Sequence, residues 1–226
     1  MATDSTNEPG AANEELPGLA PLGRLDQVMV KQQIEIAELA LGVERRNRYR
    51  IMDTNEDIIY YAIEDTELTN RVLFGSYRSF KLPIFTEDRT QVLLFSRPLA
   101  CSCCCCFCCL QILTVSLPSG TVLGYVRQQW DPFRVNYHVE NANRQVIFKI
   151  LGPMITCRLF GDVNIQVLNL NKEEVGVISK KWGGLAREYV TDADYFSISY
   201  SENFDTKTKA ILLGALFLID YVYFES

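Results

Sequence analysis

The last apolar stretch of the sequence, from Ala210 to Phe224, limits the possible folds more than any other feature, and it reads AILLGALFLIDYVYF. Few of its residues are β-branched, and Ala and Leu around a lone Gly214 are typical of a helix. At about 1.5 Å per residue such a helix spans only about 22 Å, against roughly 30 Å for the hydrocarbon core of a bilayer. Asp220 lies within it, and a carboxylate in lipid costs about 3 kcal/mol. The stretch therefore favours a helix buried in protein over one that spans a membrane.

A buried helix must be surrounded by other elements of the protein, and most of the remaining chain has the pattern of β-strands. Five pairs of alternating apolar runs flank short clusters of Asn, Asp, Gly or Pro, which is typical of successive hairpins. The paired runs are residues 49–52 and 58–63, 80–85 and 92–95, 110–117 and 122–130, 134–139 and 146–151, and 163–170 and 175–182. A last strand is predicted over residues 195–200, whereas residues 25–43 are ambiguous between strand and helix.

Hairpins with no helix between them predict an antiparallel meander, and closure into a barrel protects its edges. The predicted fold class is therefore mostly β: a closed antiparallel barrel around a hydrophobic C-terminal helix. A length of 226 residues suits one such domain, which we place at residues 25–226. Residues 1–24 are rich in Ala, Gly, Pro, Asn and Glu and lack aromatics, which predicts a disordered tail.

Composition and motifs exclude several classes of function. The formal net charge of −6 argues against general nucleic-acid binding, which needs clustered Lys and Arg. No apolar run with a cationic lead follows Met1, so we expect no signal peptide and a reducing compartment. The single histidine, His138, has no evident partner, and no Ser-centred elbow, Walker loop or dinucleotide fingerprint occurs. We therefore expect neither an enzyme nor a small-molecule substrate.

Most of the cysteines form a cluster between Cys101 and Cys109. Four adjacent cysteines cannot all converge on one tetrahedral zinc ion, although Cys157 and His138 could complete a zinc or iron–sulfur site. Burial as small apolar thiols is a second interpretation. The interpretation we prefer is S-acylation by palmitate, because clustered cysteines flanked by apolar residues suit acyl transfer near a membrane. Two acyl chains anchor a protein stably without any spanning helix.

An acidic segment near residue 200 weakly resembles a calcium-binding loop. Asp192 and Asp194 take its first and third positions, and Asn203 takes its twelfth. Ser197 stands where such a loop needs glycine, and no glutamate ends it. The alternative interpretation is a strand with acidic residues at its ends.

Two lysines, Lys180 and Lys181, precede Trp182 near the end of a predicted strand. Paired charges of this kind often lie on a solvated strand end. A nuclear-import signal and a contact with anionic lipid are the other two interpretations.

Together these features resemble the phospholipid scramblase family over nearly all of residues 25–226. The resemblance is carried by the cysteine run with Leu110-Gln111, Gly124-Tyr125-Val126, Gly152-Pro153 with Cys157, Ile178-Ser179-Lys180, Thr191 through Phe196, and Leu218-Ile219-Asp220. It implies a tubby-like fold, a closed barrel of about twelve strands around a hydrophobic C-terminal helix. That implication agrees with the fold predicted from the residues.

The resemblance also implies specific sites. The palmitoylated cysteines would be Cys103, Cys104, Cys105, Cys106, Cys108 and Cys109. The calcium segment would comprise Asp192, Asp194, Phe196, Ile198, Tyr200 and Asn203. Because its twelfth residue is Asn, Glu202 or Asp205 would have to supply the missing acid. The family's import-like segment resembles residues 176–185, which include Lys180, Lys181 and Trp182.

The function implied is ATP-independent, calcium-promoted movement of phospholipids in both directions between membrane leaflets. The expected location is the cytoplasmic face of the plasma membrane, with calcium and covalent palmitate as the associated groups. The alternative is a palmitoylated, membrane-tethered adaptor that binds protein partners, enters the nucleus when deacylated and transports no lipid.

Overall fold

The computed structural model describes residues 16–33, 48–64, 79–98, 110–154, 162–181 and 195–224. Twelve strands of this part of the chain form one closed antiparallel barrel. The strands are β1 (Gln27–Gln33), β2 (Arg48–Met52), β3 (Ile58–Ile63), β4 (Phe80–Phe85), β5 (Gln91–Arg97), β6 (Ile112–Ser116), β7 (Val122–Gln128), β8 (Arg134–Asn141), β9 (Val146–Met154), β10 (Val163–Leu168), β11 (Glu174–Lys181) and β12 (Tyr195–Tyr200). Two helices of the described residues accompany them, α1 (Ala20–Gly23) and α2 (Thr206–Tyr223). The predicted fold class is confirmed.

The barrel is a meander in which each strand pairs with the next along the chain, and β12 closes the ring against β1. The closing register places Val28 opposite Ile198 and Val30 opposite Phe196. All four side chains point inward, because side chains alternate between the two faces of a strand and this parity is buried. Closure leaves no exposed strand edge in the described sheet.

Five tight turns connect the predicted hairpins, and each contains one residue in the left-handed region. Those residues are Glu56, Arg89, Gly120, Arg144 and Lys172. Side-chain oxygens of Asp53, Asn141 and Asn169 accept backbone N–H groups within three of these turns. The Asn and Asp residues that predicted the turns therefore stabilise them directly.

Alternate connections lie at opposite ends of an antiparallel barrel. We call one end the turn end, which carries the five tight turns, α1 and the start of α2. The other is the loop end, where the connections β1–β2, β3–β4, β5–β6, β7–β8, β9–β10 and β11–β12 leave and return, and where α2 finishes.

The predicted C-terminal helix is α2, which runs along the barrel interior. It begins at Thr206, earlier than the predicted Ala210, because the Asp205 side chain caps it by accepting a hydrogen bond from Thr208 N at 3.0 Å. A Cβ built on Gly214 would lie 2.7 Å from Val115 Cγ2, so at this residue the helix and the barrel wall lie too close for a larger side chain. Within the described residues, no helix is long and apolar enough to cross a membrane.

The predicted disordered tail is wrong for residues 16–24, while residues 1–15 lie outside the described residues. Leu16, Leu19 and Leu22 are buried to 7%, 0% and 0% exposure and belong to the core. The Tyr60 hydroxyl donates a hydrogen bond to Gly18 O at 2.9 Å, and burial raises the pKa of Tyr60 to about 12. Three leucines at spacings of three residues place one apolar face over the turn end, so this segment closes the barrel there.

Candidate functional site

The candidate site is α2 together with the residues that hold its two ends. From Lys209 to Tyr221 the helix is buried on all sides, including Asp220 at 6% exposure. The Phe217 ring packs edge-on against Tyr49, with 5.2 Å between ring centroids, and lies 5.7 Å from Phe95. A helix that is apolar all round is stable only when protein or lipid surrounds it completely, and here the barrel does so.

At the turn end, Lys209 joins α2 to the connection between α1 and β1. Its ammonium donates hydrogen bonds to Gly23 O at 2.9 Å and Leu25 O at 2.7 Å, and it lies 5.3 Å from the centroid of the Tyr200 ring. Burial lowers the pKa of Lys209, and the nearby carboxylate of Asp26 acts in the opposite direction. A buried ammonium is tolerated because backbone carbonyls replace its water.

At the loop end, a buried polar cluster borders the last turns of α2. Arg97 is 2% exposed and Gln111 is 0% exposed, and Arg97 Nε donates to Gln111 Oε1 at 2.7 Å. The guanidinium of Arg97 lies 5.1 Å from the Tyr221 ring centroid and 5.7 Å from that of Phe80. This cluster was not predicted from the sequence, although Arg97 shares the inward parity of Phe95 and a charge at an inward position is a detectable signal.

The same cluster continues to the C-terminus of the helix. Gln111 N donates to Gln128 Oε1 at 3.1 Å, and Gln128 Nε2 donates to the Tyr223 hydroxyl at 3.4 Å. The end of α2 is therefore tied by a polar contact to β7, and through Gln128 to the residue before β6, whereas its middle is held by apolar contacts.

The Scramblase family matches residues 6–226. The chain belongs to the scramblase family. It is 41% identical over 210 residues to phospholipid scramblase 1 of Rattus norvegicus, and 40% identical over 210 residues to both phospholipid scramblase family member 5 and phospholipid scramblase 2 of Homo sapiens. No solved structure matches the chain.

The alignments cover the relatives less completely than they cover this chain. Each spans 92% of this chain, but 63% of the rat protein, 78% of human family member 5 and 71% of human phospholipid scramblase 2. The chain therefore spans somewhat less than two thirds of the rat phospholipid scramblase 1 that it matches. The shared region is the one that contains the barrel and α2.

The calcium segment expected from the scramblase resemblance lies only partly within the described residues. Phe196, Ile198 and Tyr200 are inward-facing core residues of β12, at 5%, 0% and 8% exposure. A strand advances about 3.3 Å per residue, so these residues spread over roughly 13 Å and cannot converge on one ion that needs ligands at about 2.4 Å. They do not fit a calcium loop.

The other described residues near that segment do not complete a calcium site either. Asn203 is exposed in the connection from β12 to α2, and Asp205 caps the helix. Asp192 and Asp194 lie outside the described residues, so their role stays a prediction. Among the described residues, no group of three or more His, Cys, Asp or Glu side chains could hold a metal ion.

The two lysines of the import-like segment have different environments. Lys180 is 6% exposed, and its ammonium lies 4.3 Å from the Phe224 ring centroid and 5.0 Å from that of Phe196. Lys180 faces inward because it has the buried parity of β11. The prediction that its side chain contacts a partner is therefore wrong for this structure. Lys181 is exposed, and Trp182 lies outside the described residues. An import or lipid contact through those two residues stays a prediction.

The predicted acylation sites Cys103, Cys104, Cys105, Cys106, Cys108 and Cys109 lie outside the described residues, as does Cys157. The structure does locate the strand ends between which the cysteine run is connected: β5 ends at Arg97 and β6 begins at Ile112, both at the loop end. S-acylation stays a prediction.

The surroundings of His138 do not favour the zinc or iron–sulfur site in which it was paired with Cys157. His138 lies on β8 between Arg127 of β7 and Lys149 of β9. Burial, and after it the charge of Lys149, lower the pKa of His138. Glu140 acts in the opposite direction, but Arg127 is ion-paired with it, so the net effect at His138 disfavours a proton.

Proposed function

We propose that this protein moves phospholipids in both directions between the leaflets of a membrane, without ATP. The observation that carries the proposal is the identity of 40–41% to proteins named phospholipid scramblases over 92% of the chain. The sequence lacks a Walker loop, which agrees with movement down a concentration gradient rather than pumping. Calcium dependence forms part of the proposal through Asp192 and Asp194 alone.

The buried helix limits how such movement can occur. Seven large apolar side chains of α2 are 0–3% exposed: Ile211, Leu212, Leu213, Leu216, Phe217, Leu218 and Ile219. Exposing each to water costs about 1.5–3 kcal/mol, or about 10–20 kcal/mol for the set. A whole domain is stable by only about 5–15 kcal/mol. Release of α2 into water would therefore unfold the domain, and only direct transfer into lipid offsets the cost.

The first experiment is a scrambling assay on the purified full chain in liposomes that contain fluorescent lipid. Dithionite destroys the outer-leaflet label at once, and scrambling then exposes the inner half. We expect the protected signal to decay, with calcium accelerating the decay. A trace equal to that of empty liposomes, with protein confirmed in the membrane, contradicts the proposal. Asp194→Ala tests the calcium part, and an unchanged response to calcium would remove it.

An engineered disulfide between α2 and the barrel wall tests whether α2 leaves the barrel during transport. A Cβ built on Gly214 lies 2.7 Å from Val115 Cγ2, so it lies within about 4.2 Å of Val115 Cβ, which is within disulfide reach. In a background with all native cysteines replaced by serine, Gly214→Cys with Val115→Cys would lock the helix when oxidised. Loss of scrambling on oxidation and recovery on reduction would show transfer of α2 into lipid. Equal rates would place the lipid path outside the barrel.

A second candidate function is favoured by the same burial of α2. An acylated barrel that tethers protein partners at a membrane needs no movement of the helix. Carbonate extraction from cells distinguishes the candidates, using serine at all six predicted acylation sites. Complete release of that variant supports the tethered barrel, whereas retention in the membrane supports insertion of α2.

A further inference from the structure

Three large apolar side chains are exposed together at the loop end. Trp130 is 54% exposed, Phe133 is 63% exposed and Met154 is 46% exposed. Trp130 and Phe133 belong to the β7–β8 connection, and Met154 ends β9 opposite Arg134. The remaining exposed large apolar residues of the described chain, Ile58 and Leu170, lie at the turn end. Clustered exposed aromatics mark a binding surface more strongly than scattered ones do.

The β7–β8 connection holds these side chains in a fixed arrangement. Asp131 Oδ1 accepts hydrogen bonds from Phe133 N at 2.9 Å and Arg134 N at 3.0 Å. Gln129 N donates to Asn136 O at 2.8 Å and closes the base of the connection. The aromatic rings are therefore presented by a turn in which the backbone N–H groups of Gln129, Phe133 and Arg134 are already paired, which lowers the cost of moving the turn out of water.

The exposed charges of the described residues differ between the two ends. Near the loop end they are mostly basic: Arg48, Arg50, Lys81, Arg134 and Lys181, with Asp162 as the exposed acid. At the turn end they are mostly acidic: Asp26, Glu56, Asp57, Glu87, Asp88, Glu173, Glu174, Glu202 and Asp205, with Arg24, Arg89, Arg144 and Lys172. Although the whole chain is acidic, the described residues of its loop end suit an anionic surface, and those of its turn end are repelled by one.

We propose that the loop end is the membrane-docking surface, with Trp130, Phe133 and Met154 inserted into the interfacial region of an anionic bilayer. Tryptophan and phenylalanine prefer that region, and basic residues around them contact its headgroups. The barrel then stands end-on, with the C-terminus of α2 and the strand ends flanking the cysteine run toward lipid. The proposal goes beyond lipid transport and rests on the proposed function only in taking a phospholipid bilayer as the occupant.

Vesicle flotation tests the surface without any transport step, so its outcome is independent of scrambling. The unacylated full chain is mixed with vesicles of phosphatidylcholine and phosphatidylserine, and the bound fraction is measured. We expect Trp130→Ser with Phe133→Ser to lower the partition coefficient by about tenfold or more, because two aromatic faces no longer leave water. The matched control is Leu170→Ser, which removes an equally exposed apolar residue at the turn end and should change binding less than about twofold. Equal losses in the two proteins, or no binding by the unmodified chain, overturn the proposal.

Tryptophan quenching tests the orientation. The chain has two tryptophans, so Trp182→Phe leaves Trp130 as the reporter of the loop end. Leu170→Trp combined with Trp130→Phe and Trp182→Phe reports the turn end. Lipids brominated near the headgroup end of their chains should quench the first reporter and leave the second unchanged. Quenching of the turn-end reporter to the same extent overturns the end-on orientation.

Discussion

Replacing Phe217 with alanine tests whether α2 forms the core of the barrel in solution. Its side chain is 3% exposed and contacts the rings of Tyr49 and Phe95. Truncating a buried phenylalanine to alanine removes its transfer free energy and leaves a cavity, which together cost about 3–5 kcal/mol. We expect a loss of about 4 kcal/mol in the free energy of unfolding, a large share of the about 5–15 kcal/mol typical of a domain.

The size of the domain converts this loss into a measurable shift. For a domain of about 200 residues, 1 kcal/mol corresponds to roughly 2–4 °C, so the melting temperature should fall by about 8–16 °C. Urea unfolding followed by circular dichroism gives the free energy directly. The midpoint should fall while the slope m stays constant, because the surface exposed on unfolding is nearly unchanged.

Phe133→Ala is the matched control, since it is the same substitution at a side chain that is 63% exposed. Exposed substitutions of this kind change stability by less than about 0.5 kcal/mol. If Phe217→Ala and Phe133→Ala shift the midpoint equally, or if Phe217→Ala costs less than about 1 kcal/mol, α2 is not held inside the barrel in solution and the reasoning fails.

Two further predictions concern the barrel wall and the turn end. Gly124→Ala should destabilise the protein by about 1–3 kcal/mol in the same urea assay. The added Cβ would lie 2.4 Å from the backbone oxygen of Glu140, and only backbone movement relieves that clash. Gly120→Ala is the control, because its Cβ meets open space and its φ of 90° leaves backbone strain as the cause of any loss. Lys209→Met should alter the pH dependence of stability. Because burial lowers the pKa of Lys209, the unfolded chain binds the proton more tightly, so the stability of the unmodified chain relative to Lys209→Met should rise as pH increases toward 10.5. A difference that is constant or falls with pH would contradict that assignment.

Much of the fold could be predicted because its signals are local. Alternation along β12, the Asp53 and Asn141 turns, and the apolar run of α2 all act within a few residues. The segment that contains Leu19 was predicted wrongly because three leucines make too short an apolar pattern to stand out, and they are buried only against the end of a completed barrel.

The candidate site depended more on tertiary structure. Phe196 and Lys180 were expected to have functional roles, but the closed barrel turns both inward, where Phe224 contacts them. Arg97 and Gln111 were missed because they are separated along the chain, and strand pairing brings them together under the helix.

By itself, the sequence determined a β meander, its turns, a short apolar C-terminal helix and a cluster of cysteines. These follow from the two-residue period, turn residues and apolar length, which are properties of neighbouring residues. Only the tertiary structure decided that residues 16–24 close the turn end, that Arg97 and Gln111 meet beneath α2, and that Trp130, Phe133 and the basic residues share the loop end. Those arrangements depend on which strand ends meet when the ring closes, and no local sequence pattern encodes that distance.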